Sequence, residues 1–292
     1  KKDLKRDLAL LKTNSNGKSD LTEINKLLKL SIPKISKKAL LIVLSQIPPG
    51  FMRKIKFEKS RLYYQVETLI FGNSIKRVLK PERIIVGSID KEQKIKKNFQ
   101  VFLKKFKCPI INMKYESAEL TKIAINIYLA SSITTTNVLS KVCEKIDANW
   151  LDIIPALKLD QRIGKKAYVH PGLGISGGNI ERDIFAIKKI LKKENVFNLL
   201  PNSFDKISSF MRLWIFRLLK KNNFIKKNIK LGILGLAYKA KTNSIKNSVA
   251  IELIKKLPND ISVYDPKVKL EKDINRYKQT NKVEEIYKKS KI

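Results

Sequence analysis

The sequence predicts an α/β protein in which two α/β units flank a helical stretch. Residues 39–44 read Ala-Leu-Leu-Ile-Val-Leu, a continuous apolar run that is typical of a buried parallel strand. Residues 116–146 contain neither glycine nor proline, and they are predicted as one helix about 45 Å long. Residues 229–265 repeat the α/β pattern with a strand, a glycine turn, a helix and a strand that ends in Asp265, an order typical of a nucleotide site.

The remaining elements follow from local patterns. Asp20-Leu-Thr-Glu23 resembles a capped helix start, and an amphipathic run follows it through Leu30. Asn179 is a suitable N-cap for a helix that extends to Leu191. Other strands are predicted at 63–66, 83–87 and 261–264, and other helices at 151–159 and 248–257.

Residues 207–220 are amphipathic and basic, and two interpretations stay open for them. A helix of this kind can lie on a membrane surface. The interpretation that we favour is a helix docked on its own domain, because amphipathic helices of globular proteins bury their apolar face in this way.

Composition excludes some function classes. The 292 residues include 62 basic and 26 acidic residues, a net charge of +36, but the lysines are spread over almost every predicted element. No run interleaves aromatic and basic residues, so we expect no specific nucleic-acid site, only weak binding to polyanions at low salt. No apolar run is long enough to span a membrane, and the first residues lack an apolar signal region. We therefore expect a cytoplasmic protein, without membrane association, in which Cys108 and Cys143 stay reduced.

Two stretches carry the candidate chemistry. Lys122 and Asn126 lie one helical turn apart, so a cation and an amide share one face. Residues 172–183 read Gly-Leu-Gly-Ile-Ser-Gly-Gly-Asn-Ile-Glu-Arg-Asp, a glycine-dense loop that leads into a helix. Glycines allow a backbone to approach a ligand, and helix starts offer N–H groups to anions. Together they predict a site for a phosphorylated small molecule.

Two further observations concern candidate site residues. Ser45, Gln46 and Glu67 follow predicted strands, and ligands of open α/β sheets bind beyond the carboxyl ends of strands. His170 is the only histidine, and a structural role is favoured over a role as a base. No metal site is predicted.

Several motifs occur together in a recognisable order. They are residues 13–21 (Thr-Asn-Ser-Asn-Gly-Lys-Ser-Asp-Leu), 45–50 (Ser-Gln-Ile-Pro-Pro-Gly), 67–72 (Glu-Thr-Leu-Ile-Phe-Gly), 81–87 (Pro-Glu-Arg-Ile-Ile-Val-Gly), 160–164 (Asp-Gln-Arg-Ile-Gly), 235–239 (Gly-Leu-Ala-Tyr-Lys), and Ser248 with Ala250. In combination they resemble the UDP-glucose/GDP-mannose dehydrogenase family of nucleotide-sugar 6-dehydrogenases, over nearly the whole chain.

The resemblance implies two Rossmann-like domains joined by a long central helix and a helical middle domain. Residues 1–107 would be the remainder of an incomplete N-terminal NAD-binding domain. Residues 108–222 would be a central domain that forms a homodimer, and residues 223–292 a truncated UDP-sugar-binding domain. The implied reaction is oxidation of the C6 alcohol of a nucleotide sugar such as UDP-glucose to a carboxylate, with two NAD.

The resemblance also implies roles for individual residues. Lys122 and Asn126 would contact the substrate and stabilise a developing oxyanion, Asp183 would act with an ordered water, and Glu67 would aid hydrolysis. Arg162 would reach the site of a neighbouring subunit. The other substrate-binding residues implied are Thr68, Leu69, Tyr168, Gly172, Gly174, Gly177, Gly178, Tyr238 and Lys239. The cofactor-binding residues implied are Ser45, Gln46, Arg182 (usually lysine) and Lys246 (usually arginine).

The departures from the family pattern bear on the chemistry. Asn179 stands where the family has its nucleophilic cysteine, and a carboxamide cannot form a thiohemiacetal or a thioester. Phe71 replaces the second glutamate and Gln46 the usual threonine. The first βαβ unit with its Gly-x-Gly-x-x-Gly sequence is missing, which predicts a fragment.

Three hypotheses follow. The first is an NAD-dependent dehydrogenase with altered chemistry, which stops at the aldehyde or hydrates it without a covalent intermediate. The second is an inert homologue that binds nucleotide sugars. The third, a polyanion-binding protein, rests on charge alone.

Overall fold

The computed structural model describes residues 20–67, 74–226, 229–240, 242–258, 260–269 and 277–289. The chain divides into two compact units, Lys1–Asn126 and Ile127–Ile292. This division falls inside the long helix, and the predicted functional division at residues 107 and 222 stays a prediction.

The first unit contains a four-stranded sheet in the order β1-β2-β3-β4. Strand β2 is parallel to β1 and antiparallel to β3, and β3 is parallel to β4. Short 3-10 helices lie at Ile32–Lys34 and Lys59–Arg61. The elements are α1 (Thr22–Ser31), β1 (Leu41–Val43), α2 (Phe51–Lys54), β2 (Leu62–Gln65), α3 (Ser74–Leu79), β3 (Ile84–Ser88), α4 (Lys97–Lys104) and β4 (Ile110–Lys114).

Strand β2 packs on both of its faces, because successive side chains of a strand point to opposite sides. Tyr64 belongs to the cluster that contains Met52 and Tyr115. Tyr63 belongs to the other cluster, where its ring centroid lies 5.3 Å from that of Phe99. Strands β1 and β2 are parallel, so the residues that follow the two strands lie at the same edge of the sheet.

The second unit contains a three-stranded parallel sheet in the order β5-β6-β7, together with the helical region. The long helix α5 (Tyr115–Ile146) begins in the first unit and continues into the second. The other elements are α6 (Trp150–Leu159), α7 (Asn179–Ile190), α8 (Leu199–Arg212), α9 (Trp214–Lys221), β5 (Leu231–Leu234), α10 (Val249–Lys256), β6 (Ile261–Tyr264), β7 (Tyr277–Gln279) and α11 (Glu284–Lys289).

The α/β class and the long central helix are confirmed, since α5 starts one residue before the predicted range. The apolar run at 39–44 yields a shorter strand than predicted. The strand ends at the buried Val43, and Leu44, which follows it, is 46% exposed. The sequence reasoning did not predict strand β4 and helix α4, both of which are short and contain polar residues among their apolar ones.

Two helix starts differ from the sequence predictions. Helix α1 begins at Thr22, whose N–H donates to Asp20 Oδ1 at 3.0 Å, and the N-cap position is Leu21 rather than Asp20. The prediction that Asn179 caps α7 was wrong, because Gly178 occupies the cap with a φ of 85°. Glycine adopts this left-handed conformation without steric cost, and Asn179 becomes the first helical residue.

The basic amphipathic segment packs within the second compact unit. Residues 207–220 form parts of two helices separated at Leu213. The apolar side chains of α9, including Ile215, Phe216 and Leu219, pack against the core under the second sheet. No helix within the described ranges is both long and apolar enough to cross a bilayer. Cys108 and Cys143 are free thiols.

Candidate functional site

The loop between α6 and α7 spans residues 160–178 and includes the glycines of the glycine-dense stretch. Side chains of α5 and α6 hold its first half. The Thr136 hydroxyl, on α5, donates to the Tyr168 carbonyl at 2.9 Å. The neighbouring Asn137 amide oxygen accepts the Gly172 N–H at 2.8 Å. The indole N–H of Trp150 donates at 2.9 Å to the carbonyl that follows Tyr168. The first half of the loop is therefore fixed through its backbone rather than through its own side chains.

Helix α8 holds the second half of the loop. The Ser208 Oγ accepts the Ile175 N–H at 2.7 Å, and Arg212 Nη1 donates to the Ile175 carbonyl at 2.9 Å. Gly174 approaches so closely that an added Cβ would lie 2.7 Å from the Ser208 carbonyl oxygen. Only glycine fits at this contact, and its φ of 86° also requires glycine.

The end of the loop packs against the turn that follows β5. A Cβ added to Gly177 would lie 2.3 Å from the Tyr238 ring, and one added to Gly178 would lie 2.8 Å from the Lys246 Cε. Lys239 Nζ lies 5.5 Å from the centroid of the Tyr238 ring. The structure thus brings together four residues predicted to bind substrate and Lys246, which was predicted to bind the cofactor.

These elements enclose a cavity of about 660 Å³ in the second unit. Its volume lies within the range of small-molecule sites, which are lined by apolar groups and a few placed polar ones. The polar residues that line the cavity include Ser176, Tyr238, Lys239 and Ser248. Its apolar lining comes from Ile133, Leu173, Ile175, Ile180, Ile215, Ile233, Leu234, Ala237, Val249, Ala250 and Leu253.

Asp265, the acid that follows β6, has a structural role in the turn after β5. Its Oδ2 accepts the Leu236 N–H at 2.7 Å, and its Oδ1 accepts the N–H groups of Lys267 and Val268 at 2.8 Å. Partial burial raises the pKa of Asp265, but the backbone N–H groups outweigh burial and hold that pKa below its ordinary value. The carboxylate therefore closes the turn after β5.

Arg182 and Asp183 form a buried ion pair on α7. Their side chains are 6% and 2% exposed, and Arg182 Nε lies 3.2 Å from Asp183 Oδ1. Arg182 Nη2 is buried without a hydrogen-bond partner from the part of the chain that the structure describes. Buried unsatisfied donors of this kind usually meet water or a bound anion. A contact of Arg182 with a cofactor stays a prediction.

Asn179 is exposed at the first position of α7. No cysteine lies in the loop, and Cys143 is buried with Trp150, Ile154 and Val169, outside the cavity lining. Neither the loop nor the cavity lining therefore supplies a thiol in place of the missing cysteine.

Glu119 is a functional candidate that sequence reasoning missed. Its carboxyl is 1% exposed on α5, where Oε2 accepts the Gly50 N–H at 2.6 Å and Oε1 accepts the Met52 N–H at 2.7 Å. Burial raises the pKa of Glu119, and the two N–H groups oppose that shift. Glu119 lies one turn before Lys122, a spacing that could have identified it. It fixes the segment after β1 to the helix that carries Lys122.

The other predicted residues of the first unit that the structure describes follow β1 or β2 or lie on α5. Ser45 and Gln46 follow β1, and Glu67 follows the parallel strand β2, so they lie beyond the carboxyl ends of neighbouring strands. Lys122 is half-buried and Asn126 is 8% exposed on α5. Thr68, Leu69 and Phe71 lie outside the described residues. That Lys122 and Asn126 reach the glycine-dense loop stays a prediction.

The other predicted residues are exposed. The Arg162 side chain is 89% exposed and pairs with Asp160 at 2.6 Å, and its reach into a neighbouring subunit stays a prediction. Tyr168 is 53% exposed. His170 Nε2 lies 3.4 Å from Lys158 Nζ on the surface. The described residues contain no cluster of side chains suited to a metal ion.

The chain is an α/β protein whose second unit contains a cavity of the size of small-molecule sites, and comparisons identify its family. Residues 116–208 match the central domain of the UDP-glucose/GDP-mannose dehydrogenase family, and residues 232–292 match the UDP binding domain of that family. Together the two matches cover more than half of the chain. The chain belongs to the UDP-glucose/GDP-mannose dehydrogenase family, which confirms the resemblance seen in the sequence.

Relatives include the UDP-glucose 6-dehydrogenases of Rickettsia conorii and Campylobacter jejuni. The first is 29% identical over 276 residues, which is 86% of this chain and 60% of the relative. The second is 32% identical over 270 residues, 88% of this chain and 65% of the relative. The chain thus spans less than two thirds of these relatives.

The fold also resembles solved structures. The UDP-glucose dehydrogenase from Pyrobaculum islandicum superposes with a TM-score of 0.82 at 22% identity, covering 95% of this chain and 68% of that one. The UDP-D-ManNAc dehydrogenase from Pyrococcus horikoshii gives 0.75 at 20% identity, covering 94% and 66%. At these identities the likeness shows the fold.

The close approach of Gly177 to Tyr238 predicts an effect of a small substitution. Gly177→Ala should destabilise the protein by about 2 kcal/mol, because it adds a Cβ against the ring and an L side chain at positive φ. Urea denaturation measures this change. Gly172→Ala is the matched control, since Gly172 has open space and no positive φ, and it should be nearly neutral. Equal stability of the two variants would contradict the contact.

The hydrogen bonds to Asp265 predict a pH-dependent contribution to stability. A carboxyl with a lowered folded pKa stabilises the protein above its ordinary value of 3.8 and loses that contribution as the pH falls through the folded value. Asp265→Ala should therefore lower the free energy of unfolding at neutral pH, and the difference from the unaltered protein should shrink under acid conditions. Denaturation across the pH range measures it, with the exposed Asp260→Ala as the control. A difference that does not change with pH would contradict the assigned hydrogen bonds.

Proposed function

We propose that this chain is part of an NAD-dependent dehydrogenase that oxidises the C6 alcohol of a nucleotide sugar, with UDP-glucose or a close relative as substrate. The observation that carries the proposal is the cavity between the glycine-dense loop and the β5 turn. Most of the cavity lining, namely its residues from Gly232 to Leu253, lies in the segment that matches the UDP binding domain. Backbone-rich walls of this kind suit a nucleotide, because N–H groups can approach phosphate oxygens.

The resemblance to the family implies NAD as the cofactor. Ser45 and Gln46 follow β1, where ligands of open α/β sheets bind, and Arg182 and Lys246 would supply cations for phosphate groups. When bound, NAD accepts the hydride that leaves the C6 carbon of the sugar. Every other step depends on the side chains of the protein.

Lys122 and Asn126 would act on the alcohol oxygen. As the C6 hydroxyl gives its proton to water and the C6 carbon loses its hydride, negative charge develops on the oxygen, and a fixed ammonium and amide donor would stabilise that charge. Asp183 would orient a water for addition to the aldehyde carbon, and Glu67 would assist that addition. The chain supplies no thiol at position 179, so the product is the aldehyde or its hydrate rather than a covalently held acyl group.

A second candidate function is binding of a nucleotide sugar without turnover. The observation that favours it is the buried pair of Arg182 with Asp183, since the predicted acid is engaged by a guanidinium while Asn179 replaces the nucleophile. The cavity does not depend on either of these features, so binding and chemistry are separable.

We also propose a homodimer formed through α5. Large apolar side chains are exposed along this helix, among them Tyr128, Val138, Val142 and Ile146. A second copy would cover such a stripe, as contiguous exposed apolar surface usually marks an interface. The two free thiols support a reducing compartment, such as the cytoplasm.

The test uses the complete gene product that contains this chain, incubated with UDP-glucose and NAD. We expect NADH to form, and Lys122→Ala should lower the rate about 100-fold, since it removes one charge-stabilising donor. Lys141→Ala is the matched control on the same helix, because Lys141 pairs with Glu144 on the surface. Absorbance of NADH and calorimetry with UDP-glucose are the two measurements.

The outcomes separate the candidates. Tight binding of UDP-glucose without NADH would favour the second function. No binding of any nucleotide sugar would contradict both. A Lys122→Ala rate equal to that of Lys141→Ala would remove the role assigned to Lys122.

A further inference from the structure

Arg212 joins three elements at the end of α8. Its Nη1 donates to the Ile175 carbonyl at 2.9 Å and lies 3.2 Å from Glu181 Oε1 on α7. Its Nε lies 3.5 Å from Glu252 Oε2 on α10. Arg212 itself is absent from the cavity lining, as are both carboxylates. The guanidinium therefore lies behind the cavity.

Each element that Arg212 contacts supplies one wall of the cavity. The loop contributes Gly174, Ile175 and Ser176, and α7 contributes Ile180. Helix α10 contributes residues 249, 250 and 253. A single side chain thus connects three walls that come from distant parts of the sequence.

The same network extends to the segment that carries Lys246. The second carboxylate oxygen of Glu181 accepts a hydrogen bond from the Asn247 amide. Asn247 follows Lys246, whose aliphatic chain lies against Gly178 at the start of α7. Glu181 therefore links the α7 end of the loop to the approach to α10.

Burial makes this network stronger than an ordinary surface ion pair. The side chains of Arg212, Glu181 and Glu252 are 18%, 24% and 38% exposed. Fully exposed ion pairs contribute little to stability because water and salt screen them. In a connected and partly buried network, the hydrogen bonds and ion pairs strengthen one another.

We propose that Arg212 is a positioning residue that holds the three walls of the cavity at the spacing a nucleoside diphosphate requires. The ligand class rests on the proposed function, but the positioning role does not. Arg212 does not line the cavity, so its loss widens the site without removing a group that lines it. Preorganisation of this kind favours binding because the ligand does not have to order the walls.

The first experiment measures binding of UDP to the complete protein by calorimetry. Arg212→Met should weaken binding about tenfold, the effect expected when one charged hydrogen-bond network is lost. Arg212→Lys should restore part of the affinity, since it keeps a cation behind the loop. Arg217→Met is the matched control, because Arg217 contacts Phe210 and lies outside the network. Equal affinity of the Arg212→Met and Arg217→Met variants would overturn the proposal.

The second experiment does not depend on any ligand. In Arg212→Met, hydrogen exchange should accelerate in residues 172–182 and 247–253 but not in the sheet of the second unit, and the melting temperature should change little. Uniform acceleration throughout the unit would indicate general destabilisation and overturn the positioning role. If Arg212→Met does not fold, Glu181→Gln provides the same two readouts with the side-chain volume preserved.

A double-mutant cycle completes the test. The effects of Glu181→Gln and Arg212→Met on UDP affinity should be non-additive, since both break one network, and additive effects would overturn the proposal. Failure of the unaltered protein to bind UDP would overturn the ligand class and the proposed function, whereas unchanged exchange in Arg212→Met would overturn the positioning role alone.

Discussion

The candidate site depends on one constraint, the attachment of the glycine-dense loop to α5 and α8 through buried polar side chains. Glycines permit the left-handed bends, but they also enlarge the conformational entropy that folding must overcome. Asn137 and Ser208 counter this, since each accepts a loop N–H from a position shielded from water. The bend is thus held in place, and the cavity exists before a ligand arrives.

Features that depend on local pattern could be predicted from the sequence. Helix α5 was predictable because its thirty-two residues include no glycine or proline that would end a helix, and the stretch is far longer than a typical strand. Gly177 and Tyr238 were both assigned to the site through the family resemblance, and the structure brings them into contact. The roles of the predicted residues stay predictions, because position alone does not test chemistry.

Features that depend on distant partners could not be predicted. The hydrogen bond of Asn137 to Gly172 spans 35 residues, and nothing near Asn137 in the sequence indicates it. The sequence does not show that the Glu119 carboxylate accepts two backbone N–H groups, because both lie more than 60 residues away along the chain. The role of Asp265 in the turn after β5 could not be predicted either, because its backbone partner Leu236 lies 29 residues earlier in the sequence.

The most direct test of a preformed site is native-state hydrogen exchange of two loop amides, Gly172 and Ile175, in the absence of any nucleotide. If the loop is fixed by Asn137 and Ser208, both amides should exchange slowly, with protection approaching that of amides in α5. Exchange of both at the rate of an unstructured peptide would contradict the claim, because the loop would then be ordered only when a ligand binds.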